Sequence, residues 1–465
     1  MVTLLAGLGL ARNELLLFAG IGLLIGGLDD LLLDLLYFAR RLWRSLTIYT
    51  RFPRMTAADL PAPGVVGPIA VFVPAWRESA VIGSMLRRCL SVWKDERLRV
   101  FVGAYPNDPD TIQAVAQVIA DLSDSKVQLV VHSLPGPTTK ADCLNQLWSA
   151  LRSWEDATGE KVLTVVLHDA EDVVHPDALR VIGLLSPRFA LVQLPVLPLV
   201  SKASRWVSGH YLDEFAEAHA KSLLVREALG AALPSAGVGC AFGRDALARI
   251  ADARAQQPFD PQSLTEDYEL GLRVGEGGGR GILVRMRDAH GEIIATREYF
   301  PDSFSAAVRQ KSRWMIGISL AGWDRLGWSG GWREGWMRLR DRQAALAALI
   351  VASAYLGVLL ATILTVVTWL TGIAVAPPTS TLLLLLGINL VLLAWRLAVR
   401  MAFVWQAYGF MEALRSVPRT AVGNVIALAS AQRALLIYIG HLRGAPLRWD
   451  KTVHRFPEDS PAEAG

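Results

Sequence analysis

The sequence predicts an α/β domain with a mostly parallel sheet, set between α-helical transmembrane segments. Three observations predict it. Short β-branched runs alternate with helical segments between about residues 65 and 335, as in parallel sheets covered on both faces. Toward both ends of the chain the apolar runs become long enough to cross a bilayer, which takes about 20 residues. Finally, 52% of the 465 residues are hydrophobic and only 19% are charged. Average usage is about 25% charged, so a purely soluble protein is excluded.

Residues 1–64 are read as an N-terminal transmembrane helix and a basic juxtamembrane segment. The apolar run Leu15 to Ala39 contains Asp29, Asp30 and Asp34 and is followed by Arg40, Arg41, Arg44, Arg51 and Arg54. Basic residues after the run, and no small-residue cleavage site, argue against a signal peptide. One or more of the three acids is expected to pair with Arg396 or Arg400, or else they lie in water or headgroups if the crossing ends near Leu28. A carboxylate at mid-bilayer costs about 2.5–3.5 kcal/mol.

Residues 323–343 put tryptophans among arginines and are read as an interfacial segment on the cytoplasmic leaflet. Residues 344–410 supply two transmembrane helices. Ala344 to Ala376 carries no charge, Pro377-Pro378 breaks the chain, and Thr379 to Trp395 is again uncharged. Residues 411–465 are read as an amphipathic interfacial helix, Ala421 to Gly440, and a basic tail with Arg443, Arg448, Lys451 and Arg455. A fourth crossing is the alternative for that helix, opposed by the membrane cost of Arg433. The positive-inside rule then gives three crossings, the N-terminus outside, and the large central domain in the cytoplasm.

That domain, residues 65–322, begins with four strand-like runs: Ile69 to Val73, Leu98 to Val102, Val127 to His132 and Val162 to Leu167. Helical segments separate them: Ala80 to Trp93, Thr111 to Leu122 and Lys140 to Trp154. Ligands of such sheets bind beyond the carboxyl ends of the strands. Those ends carry PAWRE, YPND, TTKAD and HDAED. Acids there suit Mg2+ or Mn2+, held by one or two carboxylates plus substrate phosphates. Side-chain alternation puts Asp169 and Glu171 on one side and Asp172 on another. An acidic turn capping the next helix is the competing reading. Three more acids, in LTEDYEL at 264–270, mark a loop-to-helix boundary, and Gln310, Arg313 and Trp314 share one helix face. An Arg there suits phosphate, and an indole suits a sugar ring; a helix face packed on the membrane is the alternative.

The net charge of +4 is too small to argue for nucleic acid, and Cys89, Cys143 and Cys240 have no metal-type spacing, so they are read as reduced core residues. His168 and His175 as a transition-metal pair is a weak reading. The glycines of GEGGGRG, 275–281, lack a following Lys-Ser/Thr and are read as a turn before the strand ILVRM.

DAED, TED at 265–267 and QKSRW at 310–314 together resemble the motif set of family 2 glycosyltransferases, over about residues 65–335. YPNDPDT, TKADCLNQLW, HDAEDVVHP and WDKTVHRFP resemble the phage-adsorption protein B type, bacterial inner-membrane glycosyltransferases linked to a secreted polysaccharide. Longer members carry a cyclic-di-GMP-binding domain; ending soon after Phe456, this chain is expected to lack it.

The resemblance implies a GT-A, Rossmann-like fold and inversion at the sugar. It places Asp108 near the uracil or ribose, Lys140 on the nucleotide, and Asp169 and Glu171 on the metal–diphosphate. Asp172 remains a rival ligand. Asp267 is implied as general base, Gln310, Arg313 and Trp314 as holders of diphosphate and acceptor, and Gly237 to Arg244 as a loop near the acceptor. The competing readings are Asp108 as a turn residue, Lys140 as a solvated helix start and Glu266 as a surface acid.

The expected function is transfer from a nucleotide sugar to a growing cell-envelope or secreted polysaccharide, at the bacterial inner membrane. The expected partners are the donor, a polysaccharide or lipid-linked acceptor, membrane lipids, and an export partner or a second copy. The alternatives are single-step transfer to polyprenyl phosphate, disfavoured by the QxxRW residues, and a non-catalytic receptor or scaffold, disfavoured by Asp169, Asp267 and Arg313.

Overall fold

The computed structural model describes residues 1–61, 67–94, 97–122, 126–445 and 455–457. Arg448 and Lys451 of the basic tail lie outside the described residues. The N-terminal helix α1 is Val2–Thr47. Behind it comes the central domain, in which α2 (Ile82–Val92), α3 (Pro109–Leu122), α4 (Lys140–Thr158) and α5 (Ala178–Leu185) follow the strands β1 (Ile69–Pro74), β2 (Leu98–Ala104), β3 (Val127–Val131) and β4 (Thr164–Leu167) in turn. These four strands are parallel and match the predicted runs, with shifted ends.

The second half of the domain departs from simple alternation. It contains β5 (Leu191–Gln193), α6 (Gly209–Glu217), α7 (Leu223–Ala228), β6 (Cys240–Gly243), α8 (Arg244–Asp252), α9 (Glu266–Glu276) and β7 (Gly281–Leu283). Among the described residues the sheet has seven strands in the order β3-β2-β1-β4-β6-β5-β7. Within it β6 runs antiparallel to both β4 and β5. The three added strands are three or four residues long, too short to show a period. Only the first part of the ILVRM run joins the sheet, and the glycines before it form the expected turn.

Alternation along β1 divides the core into two layers. Val71 and Val73 pack with Met85, Leu86, Val115, Val118 and Ile182 on one face. Ala70 and Phe72 pack with Leu144, Leu147, Trp148 and Leu151 of α4 on the other. Helix α4 starts at a capping box, in which Asp142 N–H donates to Thr139 Oγ1 and Thr139 N–H to Asp142 Oδ2, and ends at Gly159 in the left-handed conformation. This box sets where Lys140 stands.

Helix α10 (Phe304–Trp314) runs into a π-helical segment, Met315–Leu320, then α11 (Ala321–Leu326) and α12 (Trp332–Arg342). The predicted interfacial segment is therefore two helices, broken at Gly327 with φ +53°. Then come α13 (Ala344–Thr371), α14 (Ser380–Tyr408) and α15 (Phe410–Leu442). Among the described residues α1, α13, α14 and α15 are long and apolar enough to cross a membrane. Helix α1 packs against α13 and α14, and its small residues bring the backbones close, so that Asn389 Nδ2 donates to Gly20 O at 2.8 Å.

Helix α15 is longer than the predicted 421–440 and satisfies the composition of a span. Yet it follows the central domain along its length. Arg419 is fully buried between Asp213 of α6 and Glu412, both at 2.7 Å. Ser312 Oγ of α10 donates to Ser430 O, and Tyr438 OH to Asp324 Oδ2 of α11.

The acids of α1 meet cations, as expected, but not all the expected ones. Asp30 pairs with Arg396 at 3.0 Å and with Arg340 at 2.8 Å. Asp29 accepts from Trp336 Nε1 and contacts Arg340. Asp34 is paired with Lys221 and accepts from Trp395 Nε1. Arg400 goes to Glu217 instead, at 3.3 Å. At 46 residues and 1.5 Å per residue, α1 is about 69 Å long. A hydrocarbon core is about 30 Å thick, so α1 is longer than one crossing needs, and these pairs join it to α12, to α14 and, through Lys221, to the central domain.

Candidate active site

The carboxyl ends of β1, β2 and β4 open onto a cavity of about 500 Å³. Lys140, Asp169, Glu171, Asp267, Gln310, Arg313 and Trp314 all line it. Residues separated by up to 174 positions thus converge on one space. The remaining candidate, Asp108, does not line it.

Asp108 is buried, and its carboxylate accepts Arg77 N–H at 2.5 Å and Thr111 N–H at 3.4 Å. It holds Arg77 at φ +56°, a left-handed conformation that disfavours side chains. That turn presents Trp76 to the cavity, edge-on to Tyr105 at 5.1 Å. Tyr105 in turn stacks on His132. Asp108 therefore supports an aromatic wall rather than forming it. Neighbouring Asn107 makes two 2.7 Å bonds to the backbone of Gly136, whose Cα lies against the Trp76 ring.

Lys140, the first residue of α4, turns into the cavity and places Nζ 2.5 Å from Asp169 Oδ1. Burial alone would lower its pKa; Asp169, Glu266 and Asp267 outweigh that and raise it, so the ammonium stays charged. Glu171 is 3% exposed and faces the same cavity. Asp172 turns the other way. It is fully buried, with Oδ2 2.6 Å from His168 Nδ1 and accepting Asp169 N–H at 3.1 Å. Burial lowers His168 to about 4. Asp172 thus braces the turn that carries Asp169.

Asp267 stands in the first turn of α9, where its Oδ1 accepts Tyr268 N–H at 2.8 Å. Burial raises its pKa, against the pull of Lys140. Glu266, read from sequence as a surface acid, is 7% exposed and lines the cavity. Burial, then the Asp267 charge, pushes it up to about 7. The expectation missed this because one turn of helix separates a buried from a solvated face, and the sequence does not say which way α9 is rotated.

On α10, Gln310, Arg313 and Trp314 share one face, as their spacing implies, while Lys311 turns away to Glu214 at 2.6 Å. Gln310 Oε1 and Arg313 Nε are buried with no hydrogen-bond partner among the described residues. Buried polar atoms normally have partners, so both suit a ligand. Trp314 meets Tyr211 and Phe215 at ring distances of 6.2 and 6.4 Å. Sequence reasoning put Trp76 and Tyr105 at the ligand-binding edge without a role for either, and gave no place to the segment Arg455–Pro457, which also lines the cavity. A wall of residues from three separate segments has no local pattern.

The donor set fits a divalent cation. Among the described residues no three His, Cys, Asp or Glu side chains form a metal-holding group. Two carboxylates, Asp169 and Glu171, do share the cavity, the number that Mg2+ takes when substrate phosphates complete its shell.

Residues 67–317 match the family model described as Glycosyltransferase like family 2. The chain is 38% identical over 454 residues to Bacteriophage adsorption protein B of Escherichia coli (strain K12) and to Bacteriophage N4 adsorption protein B of Escherichia coli O157:H7. Each match covers 93% of this chain and 60% of the relative, so the chain spans less than two thirds of the curated relatives it matches. Among solved structures, the mannosyltransferase PcManGT from Pyrobaculum calidifontis in complex with GDP-Man and Mn2+ is similar at 17% identity and a TM-score of 0.48, over 88% of this chain and 98% of that one. Glucosyl-3-phosphoglycerate synthase from Mycobacterium tuberculosis, in complex with Mn2+, UDP-glucose and phosphoglyceric acid, is similar at 19% identity and a TM-score of 0.27, over 43% and 64%. With its parallel-sheet domain, its acidic strand ends and a family match over more than half its length, the chain belongs to glycosyltransferase-like family 2.

Proposed function

We propose that the chain transfers a sugar, with inversion, from a UDP-linked donor to a growing cell-envelope or secreted polysaccharide at the bacterial inner membrane. The convergence of Asp169, Glu171, Lys140, Asp267 and Arg313 on one cavity carries this reading. Relatives named for bacteriophage adsorption are in keeping with a product displayed at the cell surface.

Asp169 and Glu171 would hold Mg2+ or Mn2+, which when bound neutralises the charge of the departing diphosphate. Lys140 and Arg313 add donors aimed at the same charge. Trp76 and Tyr105 offer flat apolar faces to the nucleobase. Trp314 offers one to the acceptor sugar, its own ring steadied by Tyr211 and Phe215. Asp267 takes the proton of the attacking hydroxyl, a contribution of roughly 10²–10⁴-fold. Its burial-raised pKa strengthens it as a base. One direct displacement, with Asp267 as base, inverts the anomeric carbon.

A second cavity, about 510 Å³, shares Trp314 with the first and continues between the membrane helices. Leu23, Val351, Leu393 and Leu397 form apolar walls, and Lys311, Arg396 and Arg400 lie among its polar groups. It supports an acceptor that arrives from the membrane side. Its amphipathic lining is also the observation that favours the second reading, transfer to polyprenyl phosphate. Helices α1, α13 and α14 are read as crossings, with the central domain cytoplasmic. For α15, contacts from Arg419 to Tyr438 span about 29 Å of helix. A helix along the membrane normal could not keep one extramembrane domain beside it over that length, so α15 is read as lying in the inner interface.

The test is purified protein in nanodiscs with labelled UDP-sugars and Mn2+, with polysaccharide and polyprenyl phosphate acceptors in separate arms, beside Asp267→Asn. The expected result is polymer-linked label, lost in the variant. Equal product from Asp267→Asn removes the base assignment, and label found only on polyprenyl phosphate selects the second reading.

A further inference from the structure

We propose that Asp341, on the interfacial helix α12, is a positioning residue for the base Asp267 and acts through Tyr268. The proposal rests on the reading of Asp267 as base. Thr265, the N-cap of α9, makes no side-chain capping bond, so the first turn that carries Asp267 lacks the usual local restraint. Its restraint is tertiary. Asp267 Oδ1 is tied to Tyr268 N–H, and the Tyr268 ring is buried against Leu272 and Leu326. The Tyr268 hydroxyl donates to Asp341 Oδ2 at 2.7 Å. The same oxygen accepts from buried Arg226 Nη1 at 2.7 Å, which holds the carboxylate in place.

Helix α12 grips the far end of α9 as well, where Arg338 Nη2 meets Glu276 Oε1 at 2.8 Å. Two attachments, nearly the full length of an 11-residue helix apart, set both its position and its tilt. Helix α12 is itself fastened to the N-terminal membrane helix, through Arg340 on Asp30 at 2.8 Å and Trp336 on Asp29 at 2.7 Å. Asp341 adjoins Arg340 in sequence. The base is thereby referenced to the membrane helices, between which the acceptor cavity lies, as well as to the sheet, against which Leu270 and Val274 of α9 pack. A base works only within hydrogen-bond reach of its proton, and a misplacement of about 1 Å can cost about 10²-fold.

The experiment uses the full chain in nanodiscs with Tyr268→Phe, Asp341→Asn, the double variant and Asp267→Asn. Tyr268→Phe keeps the ring packing and removes only the hydroxyl. The expected result is a roughly tenfold loss of kcat with donor KM and donor binding unchanged. The double variant should be no slower than Asp341→Asn alone, because both break one link. Wild-type kcat in Tyr268→Phe beside an inactive Asp267→Asn overturns the positioning role alone. So does a loss that multiplies in the double variant, or one that appears as a raised donor KM. An active Asp267→Asn overturns the base assignment instead.

Discussion

Gly237 offers a sharp test of the base. It precedes β6 at φ +79°, and a Cβ built there would stand 2.2 Å from Asp267 Oδ2. The Asp267 Cγ and Cβ atoms would follow at 3.1 and 3.2 Å, so rotating the carboxylate gives little relief. Carbon contacts settle at about 3.5–4.0 Å. In Gly237→Ala the carboxylate must therefore move by about 1 Å or more, which predicts a loss of about 10²-fold in kcat. The left-handed backbone adds about 1–2 kcal/mol of strain, a fraction of a normal fold stability of about 5–15 kcal/mol, so the protein still folds. The assay is sugar transfer at saturating donor in nanodiscs, with donor binding measured in parallel. Donor affinity should hold, because Asp169 and Glu171 sit on another loop. Wild-type kcat in Gly237→Ala would refute the claim that this carboxylate does the chemistry where it stands.

Two further outcomes follow from the same geometry. Glu171→Gln should raise the Mn2+ concentration needed for half-maximal activity at least several-fold. Asp172→Asn, facing His168 and not the cavity, should lower thermal stability yet leave the Mn2+ dependence near wild type; the reverse pattern would exchange their roles. The pH profile should also be shifted. Burial raises the carboxyls of Glu266, to about 7, and of Asp267. The base acts deprotonated, so activity is lost as pH falls through the raised value. The acid limb of kcat/KM should stand above the ordinary carboxylate range near 4, and a limb at about 4 would show that burial does not set it.

Much of this was legible in the residues. Strand runs such as IAVFV and LRVFV are continuous because both faces of β1 and β2 are covered. The segment Lys140 to Trp154 was legible as a helix, and Gln310, Arg313 and Trp314 as one face from helical spacing. The misses share a cause. Strands β5 and β6 are three and four residues long and exist through their neighbours. Asp108 was assigned by motif position and Glu266 was read as a surface acid, but the rotation of a turn or helix against the core decided which faces the cavity.

Local chemistry and periodicity therefore determined the class of the protein: a parallel sheet, apolar helices at both ends, and acids gathered at strand ends. Tertiary structure decided the partners. Asp30 found the expected Arg396, but Asp29 and Asp30 also found Arg340, on a helix more than 300 residues away, and Arg400 went to Glu217. Asp172 was turned away from the cavity onto His168, and α15 was laid along the central domain by the buried ion pairs of Arg419. Charge and hydropathy say what a side chain requires of its surroundings; only packing selects which neighbour, among several of the right kind, comes within 3 Å.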